Sequence, residues 1–467
     1  MHYVSTRGTA PVLKFADALL AGLARDGGLY TPQGVPRLTP AEIRALPGLR
    51  YAEVAARLAV PFVGDDFSSA ELLATAEDAY AQFDHAAKAP LRQLDDNLFL
   101  LELFHGPTFA FKDFAMQWLA RLIDRTLSQR GRRATILGAT SGDTGAAALE
   151  AFGGSDRADV FILFPLGRVS EVQRKQMTTV DRPGAHAIAI EGAFDDCQAI
   201  VKTLFADLSF REELALSGVN SINWARILAQ IVYYFTSAVA LGAPGRKVSF
   251  AVPTGNFGDV LAGYFAGAMG LTVSRLVVAT NENDILVRAF EGGHYELREV
   301  KQTQSPSMDI QVSSNFERLL FDVYARDAVA VRRLMAALGA ERAFSLSRDA
   351  LQQIRARFDA IRVDEEDCAR EIARTYSETG TILDPHSAIG VRAARATLAQ
   401  DPATPVIALA TAHPAKFPDA VAAACGARPE TPERIRRVLG SPERFETLPN
   451  DAAGVAAFIR ARARRVK

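Results

Sequence analysis

Residues that form disulfides or bind metals are scarce in this chain. Its three cysteines, Cys197, Cys368 and Cys425, are far apart and never form a CxxC pair. This excludes a disulfide framework and a zinc ribbon, and it is typical of a reducing compartment. The seven histidines are scattered, with no HExxH motif and no group at ligand spacing. The sequence therefore predicts no metal site.

Net charge and long apolar runs are also nearly absent. Lys and Arg number 53 and Asp and Glu 54, a balance of −1, which argues against nucleic acid or an anionic membrane as the main partner. Residues 1–15 lack the apolar core of a signal peptide and the composition of a transit peptide. One uncharged run, 227–245, reaches membrane length but contains Gln230 and Pro244, so it predicts a helix buried inside the protein. We expect a cytoplasmic protein.

Short β-rich apolar runs are present through the middle of the chain and alternate with segments of helical period. The runs are NLFLLEL (97–103), RATILG (133–138), VFILF (160–164), HAIAI (186–190), KVSFAV (247–252), RLVVAT (275–280) and PVIALA (405–410). Strands that alternate with helices in this way predict βαβ units and parallel sheets. Ligands of such folds gather at the carboxyl ends of the strands.

Helical patterns dominate the remaining segments. Residues 1 to about 90 and about 315–375 predict helices, and a helix is expected from about 416, after the strand at 405–410, which we predict to be the last. With 467 residues, 49% of them apolar, the chain is long enough for two or three domains. We predict an α/β fold with a helical N-terminal region (1–92), an α/β domain (93–245), and a second α/β domain (246–467) with a helical insertion.

A lysine among aromatic residues marks the first strand–loop–helix junction, LFHGPTFAFKD. Lys112 lies at the entry to a helix, beside Phe109, Phe111 and Phe114. Burial there and the positive end of the helix dipole disfavour the charged amine and lower its pKa. A neutral amine is the form that condenses with an aldehyde. The alternative is an ordinary lysine whose stem covers apolar surface while its charge stays in water.

Two further junctions are rich in glycine and short polar side chains. GATSGDTG (138–145) and PTGNFGD (253–259) each link an apolar strand to a helix, so backbone N–H groups converge there and suit a carboxylate or phosphate. Neither is a Walker A or GxGxxG motif, and a capped glycine-rich turn is the alternative for each. Together with Lys112 they suggest a ligand with two anionic ends and an aldehyde, as in pyridoxal phosphate with an amino-acid substrate.

Six motifs in order resemble the threonine synthase family. They are HGPTFAFKDFAMQ, GATSGDTGAAALEAF, VNSINWARILAQ, VPTGNFGDVLAGYF, LDPHSAIG and TAHPAKFP, preceded by YVSTRG and DGGLYTP. The resemblance is to the bacterial and fungal branch with a longer N-terminal region, and it departs mildly at Phe109, where leucine is more usual. It implies PLP fold type II, with two parallel-sheet α/β domains and helical additions. It also implies conversion of O-phospho-L-homoserine and water to L-threonine and phosphate, the last step of threonine biosynthesis.

The resemblance further implies how the cofactor, pyridoxal 5′-phosphate, is held. Lys112 matches the lysine that binds the cofactor aldehyde covalently, and Thr411 matches the residue that hydrogen-bonds the pyridine nitrogen. The loop that cradles the cofactor phosphate matches Gly255, Asn256, Phe257, Gly258 and Asp259. A neutral hydroxyl cannot keep the ring nitrogen protonated as a carboxylate would, which suits a reaction that returns charge from the ring to expel a leaving group.

Substrate-binding residues follow from the same resemblance. Ser141 and Thr144 are candidates for the substrate carboxylate. Candidates for the substrate phosphate are Asn223 and Arg226, whose guanidinium can bind it bidentately, with Arg168 and Ser170 as further candidates whose alternative role is polar surface at a helix start. Lys112, once displaced by substrate, is expected to remove the Cα proton and later to move the Cβ proton.

For His386 and His413, contact with the site and a turn-forming role are alternatives, and the turn-forming role is at least as well supported. EEDC (365–368) predicts a solvated helix start rather than a metal site.

A related pyridoxal-phosphate phospho-lyase or dehydratase that releases 2-oxobutyrate is the main alternative function. A non-catalytic homologue and a nucleotide-binding enzyme are further alternatives; the intact Lys112, GNFGD and SGDTG argue against the first, and the missing nucleotide fingerprints against the second. We expect a small-molecule substrate and a monomer or homodimer.

Overall fold

The structure, a computed structural model, describes residues 1–140, 142–218 and 222–464. It is an α/β fold with two large, mainly parallel sheets and helical additions at both ends of the chain. The predicted fold class is confirmed.

The strands of the described residues follow the predicted alternation through the middle of the chain. They are β1 (His2–Ser5), β2 (Leu13–Lys14), β3 (Tyr30–Pro32), β4 (Leu91–Asp95), β5 (Leu98–Glu102), β6 (Ala134–Ala139), β7 (Ala158–Pro165), β8 (Ala185–Glu191), β9 (Leu216–Gly218), β10 (Val248–Pro253), β11 (Val273–Thr280), β12 (His294–Glu296), β13 (Ala343–Ser345), β14 (Phe358–Arg362), β15 (Val406–Ala410) and β16 (Glu446–Pro449). Each of the seven predicted strands is present.

The helices lie between these strands and at the two ends. They are α1 (Phe15–Ala21), α2 (Pro40–Arg44), α3 (Tyr51–Val63), α4 (Ser69–Tyr80), α5 (Lys112–Gln129), α6 (Asp143–Phe152), α7 (Glu171–Thr178), α8 (Phe194–Ala206), α9 (Leu208–Glu213), α10 (Trp224–Ala240), α11 (Gly258–Ala268), α12 (Ile285–Gly292), α13 (Phe316–Val323), α14 (Ala328–Glu341), α15 (Arg348–Arg355), α16 (Glu365–Thr379), α17 (Pro385–Gln400), α18 (Pro418–Cys425), α19 (Glu433–Gly440) and α20 (Ala452–Arg462). Short 3₁₀ turns cover Gly64–Asp66, Pro306–Met308 and Pro414–Lys416.

The first large sheet has the strand order β16-β8-β7-β6-β9 and is parallel throughout. Every residue of β6 and β7 is buried. Their sequences, ATILGA and ADVFILFP, are apolar nearly without interruption, as strands covered by helices on both faces require.

The second large sheet has the order β14-β11-β10-β15-β5-β4. Its pairs are parallel except for β4, which runs antiparallel to β5 at one edge. In β15 Ile407 lies between Phe250 of β10 and Phe99 of β5 and is fully buried. β15 therefore occupies the interior of this sheet.

The expectation of a mostly helical N-terminal region is only partly right. Strands β1 to β3 form a small antiparallel sheet of order β2-β1-β3. Tyr3 in β1 is fully buried, and its hydroxyl donates to the Phe62 carbonyl of α3 at 2.9 Å. Strands this short carry too little periodicity to be recognised, and packing on α3 determines their conformation.

The helical prediction for about 315–375 includes LQQIRARFDAI (351–361), and it was wrong at the end of that segment. α15 stops at Arg355, and Phe358–Arg362 forms β14, in which Phe358 pairs with Leu276 of β11. The strand at 405–410 is also not the last one, because β16 follows it and pairs with β8. Both segments form strands because they pair with the edge of a sheet. A local helical pattern in the sequence does not reveal such pairing.

The division at residues 92 and 245 stays a prediction, and the sheets mix segments from both sides of it. β5 lies in the sheet of the later strands β10, β11, β14 and β15, whereas β16 lies in the sheet of β6 to β9. The chain thus crosses between the two sheets more than once.

Residues 227–240 of the uncharged run belong to α10 (Trp224–Ala240), which is buried along most of its length. This confirms the predicted buried helix. None of the helices in the described ranges is long and apolar enough to cross a membrane.

The interior position of β15 generates a stability prediction. We expect Ile407→Ala to lower the free energy of unfolding by about 2–5 kcal/mol, because it leaves a cavity in the hydrophobic core against the face of the sheet. The control Val329→Ala removes methyl groups from an exposed position and should change stability by less than about 0.5 kcal/mol beyond its gain in helix propensity. Urea unfolding measures both, and equal losses would contradict the placement of β15.

Candidate active site

A cavity of about 770 Å³ lies where loops leave the carboxyl ends of β5, β6, β10 and β15. The residues predicted for the site that line it are Lys112, Thr144, Arg226, Gly255, Asn256, Gly258, Asp259 and Thr411. Those that the structure describes but does not place in its lining are Arg168, Ser170, Asn223 and Phe257. Ser141 lies outside the described residues.

Lys112 is the first residue of α5. The 105–113 turn that delivers it depends on the Asp113 carboxylate, which accepts hydrogen bonds from Thr108 N at 2.8 Å and Thr108 Oγ1 at 2.7 Å. Burial raises the pKa of Asp113 to about 6. A Cβ on Gly106 would lie 2.5 Å from the Cβ of Asp113, so the turn closes only around a glycine there.

The Lys112 amine is almost enclosed. Its Nζ lies 3.7 Å from Asp143 Oδ2 and 3.5 Å from Ser307 Oγ, and 4.8 Å from the centre of the Phe111 ring. Desolvation lowers the pKa of Lys112, which Asp143 opposes and the cations Lys416 and Arg226 reinforce. The lowered pKa expected from the sequence is present, with burial as its main cause.

Asp143 is the ionised centre of the site. Its Oδ1 accepts from Lys416 Nζ at 2.7 Å and from Gln173 Nε2 at 2.9 Å. The neighbouring lysine charges hold the pKa of Asp143 well below its usual range despite burial. The sequence indicates Asp143 only as part of a glycine-rich loop, and its pattern does not single out Lys416. The signals available for them are the acid within SGDTG and the lysine within TAHPAKF.

Ser307 was also missed as a site residue, whereas for His386 contact with the site was one of two alternatives. Ser307 N donates to His386 Nε2 at 3.2 Å, so that nitrogen is unprotonated and the imidazole Nδ1 donates to Asp384 at 2.7 Å. Asp384 also caps α17 by accepting from Ser387 N. His386 therefore contacts the site besides forming the helix start, whereas His413 accepts from Ala415 N and caps a 3₁₀ turn, as expected.

A buried polar network holds the loop that carries Ser307. Asn281 Nδ2 donates to Thr303 Oγ1 at 2.9 Å, to Ser305 Oγ at 2.9 Å and to Asp309 Oδ1 at 2.8 Å. Asn283 Nδ2 donates to the same Asp309 oxygen at 3.1 Å. Because these groups satisfy one another, an irregular loop can be buried beside the cavity.

The 255–259 loop joins β10 to α11 in a left-handed conformation. Phe257 has φ +65°, and its ring is buried among Phe290, Phe316 and Phe358. Its side chain thus faces the core while the start of α11 faces the cavity. A Cβ on Gly255 would lie 3.1 Å from Ser307 O, so the two loops are in close contact.

Asp259 stabilises the same loop. Its Oδ1 accepts from Thr254 Oγ1 and, at 2.9 Å, from Val260 N. Burial raises the pKa of Asp259 to about 6. Asp259 thus fixes the backbone of the first turn of α11 around the cavity.

Thr411 follows β15 and brings a hydroxyl to the cavity. Its N–H donates to Ser387 Oγ at 3.1 Å and its carbonyl accepts from Phe111 N at 2.8 Å. The second contact ties it to the residue before Lys112. Among the described residues the Thr411 hydroxyl has no hydrogen-bond partner, although the residue is only 5% exposed.

The candidates for the substrate phosphate occupy different positions. Arg226 is buried in α10 and lines the cavity, and burial lowers its pKa to about 10, so it remains charged at neutral pH. Asn223 instead caps α10 through Ala225 N and donates to Leu19 O at 2.8 Å. Ser170 caps α7 through Gln173 N at 3.3 Å, and Arg168 is exposed in the preceding turn. Their predicted roles stay predictions.

The lining of the cavity fits pyridoxal phosphate. An enclosed amine can meet an aldehyde, a glycine-lined turn at a helix N-terminus can hold a phosphate, and the Thr411 hydroxyl can meet a ring nitrogen. In the described residues there is no group of three or more His, Cys, Asp or Glu side chains that could hold a metal ion.

Three protein-family models match successive and partly overlapping parts of this chain. A family model described as "Pyridoxal-phosphate dependent enzyme" matches residues 84–412. Two others, "Threonine synthase N terminus" and "Threonine synthase, C-terminal", match residues 2–80 and 387–459.

Individual relatives show the same similarity. Threonine synthase of Pseudomonas aeruginosa is 52% identical over 460 residues, which cover 98% of each chain. A crystal structure of PLP-bound threonine synthase from Brucella melitensis has 56% identity and a TM-score of 0.95, and covers 99% of this chain and 100% of that one. The yeast threonine synthase structure has 36% identity and a TM-score of 0.92, with 99% and 98% covered.

The different environments of two aspartate caps generate a prediction. We expect Asp384→Ala to cost about 3 kcal/mol of unfolding free energy, since it removes a cap and leaves buried donors of His386 and Ser387 unpaired. Asp327→Ala removes the exposed cap of α14 and should cost about 1 kcal/mol. Urea unfolding compares them. If both cost the same, the buried hydrogen bonds of Asp384 contribute nothing.

Proposed function

The chain belongs to the threonine synthase family of pyridoxal-phosphate-dependent enzymes, and on that premise we propose how its residues convert O-phospho-L-homoserine and water to L-threonine and phosphate. The enzyme is a carbon–oxygen lyase that acts on a phosphate ester, in the last step of threonine biosynthesis. The observation that carries the proposal is the enclosure of Lys112 Nζ in a cavity that also contains the 255–259 loop and Thr411.

Lys112 both holds the cofactor and moves protons. The bound cofactor supplies an electron sink that makes the substrate Cα and Cβ protons acidic. Once substrate has displaced it, Lys112 Nζ removes the Cα proton and later carries a proton to or from Cβ. General acid–base catalysis of this kind contributes roughly 10²–10⁴-fold. The lowered pKa of Lys112 favours the neutral amine that these steps need.

The 255–259 loop and Thr411 orient the cofactor. Backbone N–H groups at the start of α11 receive the cofactor phosphate, where the helix dipole favours an anion. Phe257 anchors the loop in the core, and Asp259 fixes its backbone rather than meeting the phosphate with its own carboxylate. The Thr411 hydroxyl hydrogen-bonds the pyridine nitrogen without adding a charge.

The two anionic ends of the substrate meet separate groups. Thr144, in the first turn of α6, binds the carboxylate together with Ser141. Arg226, charged and buried at the cavity wall, binds the phosphate, where enclosure strengthens the ion pair. The further phosphate candidates are Asn223, Arg168 and Ser170, of which Arg168 is exposed and the other two cap helices.

The molecular context is part of the proposal. A small molecule is the substrate, and we expect no nucleic-acid or membrane partner. We propose that the protein lies in the cytoplasm, because the scarcity of cysteine is typical of a reducing compartment, and that it is a monomer or homodimer.

Product analysis tests the reaction itself. Purified protein loaded with pyridoxal phosphate and given O-phospho-L-homoserine should release phosphate and threonine in equal amounts. Quantifying phosphate, threonine and 2-oxobutyrate together is the measurement. Phosphate accompanied by 2-oxobutyrate would contradict the addition of water and would identify a phospho-lyase.

Substitution of the cavity lysine tests the role of Lys112. We expect Lys112→Ala to abolish product formation and the absorption band of the covalently held cofactor, since it removes the amine that binds the cofactor aldehyde. Lys247→Ala changes an exposed lysine and should leave both unchanged. A Lys112→Ala protein with full turnover would refute the mechanism.

The hydroxyl at position 411 can be tested with a nearly isosteric change. Thr411→Val should lower kcat about tenfold through the lost hydrogen bond to the ring nitrogen, with Lys112 still attached to the cofactor. Thr411→Ser keeps the hydroxyl and should retain most of the activity. Equal kcat values for the valine and serine variants would place the ring nitrogen elsewhere.

A further inference from the structure

A second buried lysine lies close to Lys112 and has no part in the mechanism derived so far. Lys416 belongs to the 3₁₀ turn Pro414–Lys416 that follows β15, and its side chain is fully buried. An ammonium group without water requires compensation by a carboxylate and hydrogen bonds. Lys416 Nζ donates to Asp143 Oδ1 at 2.7 Å and to the Thr108 carbonyl at 2.9 Å.

Asp143 stands between the two lysines. Its Oδ1 is engaged by Lys416 and Gln173, while its Oδ2 lies 3.7 Å from Lys112 Nζ and 3.4 Å from Ser307 Oγ. The carboxylate is therefore in direct contact with Lys416 and at longer range from Lys112. In a buried row of two amines and one carboxylate, only one amine can be charged while the row stays neutral.

The geometry decides which amine keeps its proton. Lys416 makes the short, charge-assisted contact and is fully enclosed with its carbonyl partner, so its charge is the better stabilised of the two. Lys112 has longer contacts to Asp143 and Ser307, so it is the amine that can lose its proton. Without Lys416, neutrality of the row would instead require a protonated Lys112 beside Asp143.

We propose that Lys416 is a positioning residue that acts on Lys112 through Asp143, by neutralising that carboxylate so that Lys112 works as an uncharged amine. The inference rests on the proposed role of Lys112 and extends it to a residue pair outside the cofactor contacts. Asp143 in turn keeps its Oδ2 directed at Lys112 because Lys416 and Gln173 fix the other oxygen.

Two further charged groups face Lys112, and their effects on its pKa are opposite. Arg226 on α10 lowers its pKa, and Asp259 on α11 raises it. Neither contacts Asp143 in the hydrogen bonds of the described residues. Changes at Lys416 and Asp143 therefore alter the balance at Lys112 while leaving these two groups in place.

A purely structural role for Lys416 makes a different prediction. Its bond to Thr108 O connects the 3₁₀ turn to the 105–113 turn. If that connection were its whole function, Lys416→Met would reduce stability but would not change the protonation of Lys112 in the folded protein.

A double-mutant cycle separates the two roles. The variants are Lys416→Met, Asp143→Asn and the double change, each checked for folding by circular dichroism. The full-length protein, freed of cofactor, is given pyridoxal phosphate at a series of pH values, the adduct is trapped with borohydride, and modification of Lys112 is quantified by mass spectrometry. The pH profile of kcat is recorded on the loaded enzymes, since Lys112 is a free amine only after substrate has displaced it.

We expect Lys416→Met to raise the pKa of Lys112 by roughly 1–2 units, which moves cofactor capture to higher pH. The acid limb of the kcat profile should shift in the same direction, because substrate has by then released the Lys112 amine. Asp143→Asn should shift the capture profile to lower pH, since Lys416 then lacks its counter-charge. The double variant, again neutral, should return to within about half a unit of the wild type. If Lys416→Met fails to fold, the double variant is compared with Asp143→Asn instead, because the double variant buries no unpaired charge.

The proposal would be overturned if the pH dependence of Lys112 modification were unchanged in folded Lys416→Met. It would also be overturned if the double variant showed as large a pH shift as one of the single variants. That result differs from failure of the proposed function. In the latter case wild-type protein would not be modified at Lys112 or would form no threonine, whatever residue occupies position 416.

Discussion

Burial of the Lys112 amine is the constraint on which the site depends. Water would hold Lys112 as ammonium, so the fold encloses it, and enclosure leaves each nearby charge strong and in need of a partner. Asp143 is compensated by Lys416, and the neutral tautomer of His386 is fixed by Asp384. Asp143 with Lys416 and His386 with Asp384 are thus buried pairs whose members satisfy each other.

The two sheets make this enclosure possible. β5, β10 and β15 are neighbours in one sheet, and their carboxyl ends supply Lys112, the 255–259 loop and Thr411. β6 of the other sheet supplies Asp143 through α6. The hydrogen bond from Phe111 N to Thr411 O links two of these loops directly, so residues about 300 positions apart share one geometry.

The sequence pattern predicted those features of the fold and the site that depend on residues close together in the chain. The seven apolar strands, the fold class and the enclosure of Lys112 follow from residues that are neighbours in the chain or from motif order. The short strands β1 to β3 and the edge strands β14 and β16 were missed, because their conformation depends on a partner far away in sequence. Lys416 and Ser307 were missed as site residues for the same reason, since their roles exist only through contacts with Asp143 and Lys112. For His386 the sequence left contact with the site and a turn-forming role as alternatives.

The aromatic anchor of the 255–259 loop has a consequence for how the protein can change over generations. Phe257 holds a left-handed backbone conformation because Phe290, Phe316 and Phe358 enclose its ring. These three residues come from α12, α13 and β14, none of which supplies Lys112, Asp143 or Thr411. Selection on the shape of the loop therefore acts on core positions with no chemistry of their own, and substitutions there have to be inherited in compatible sets.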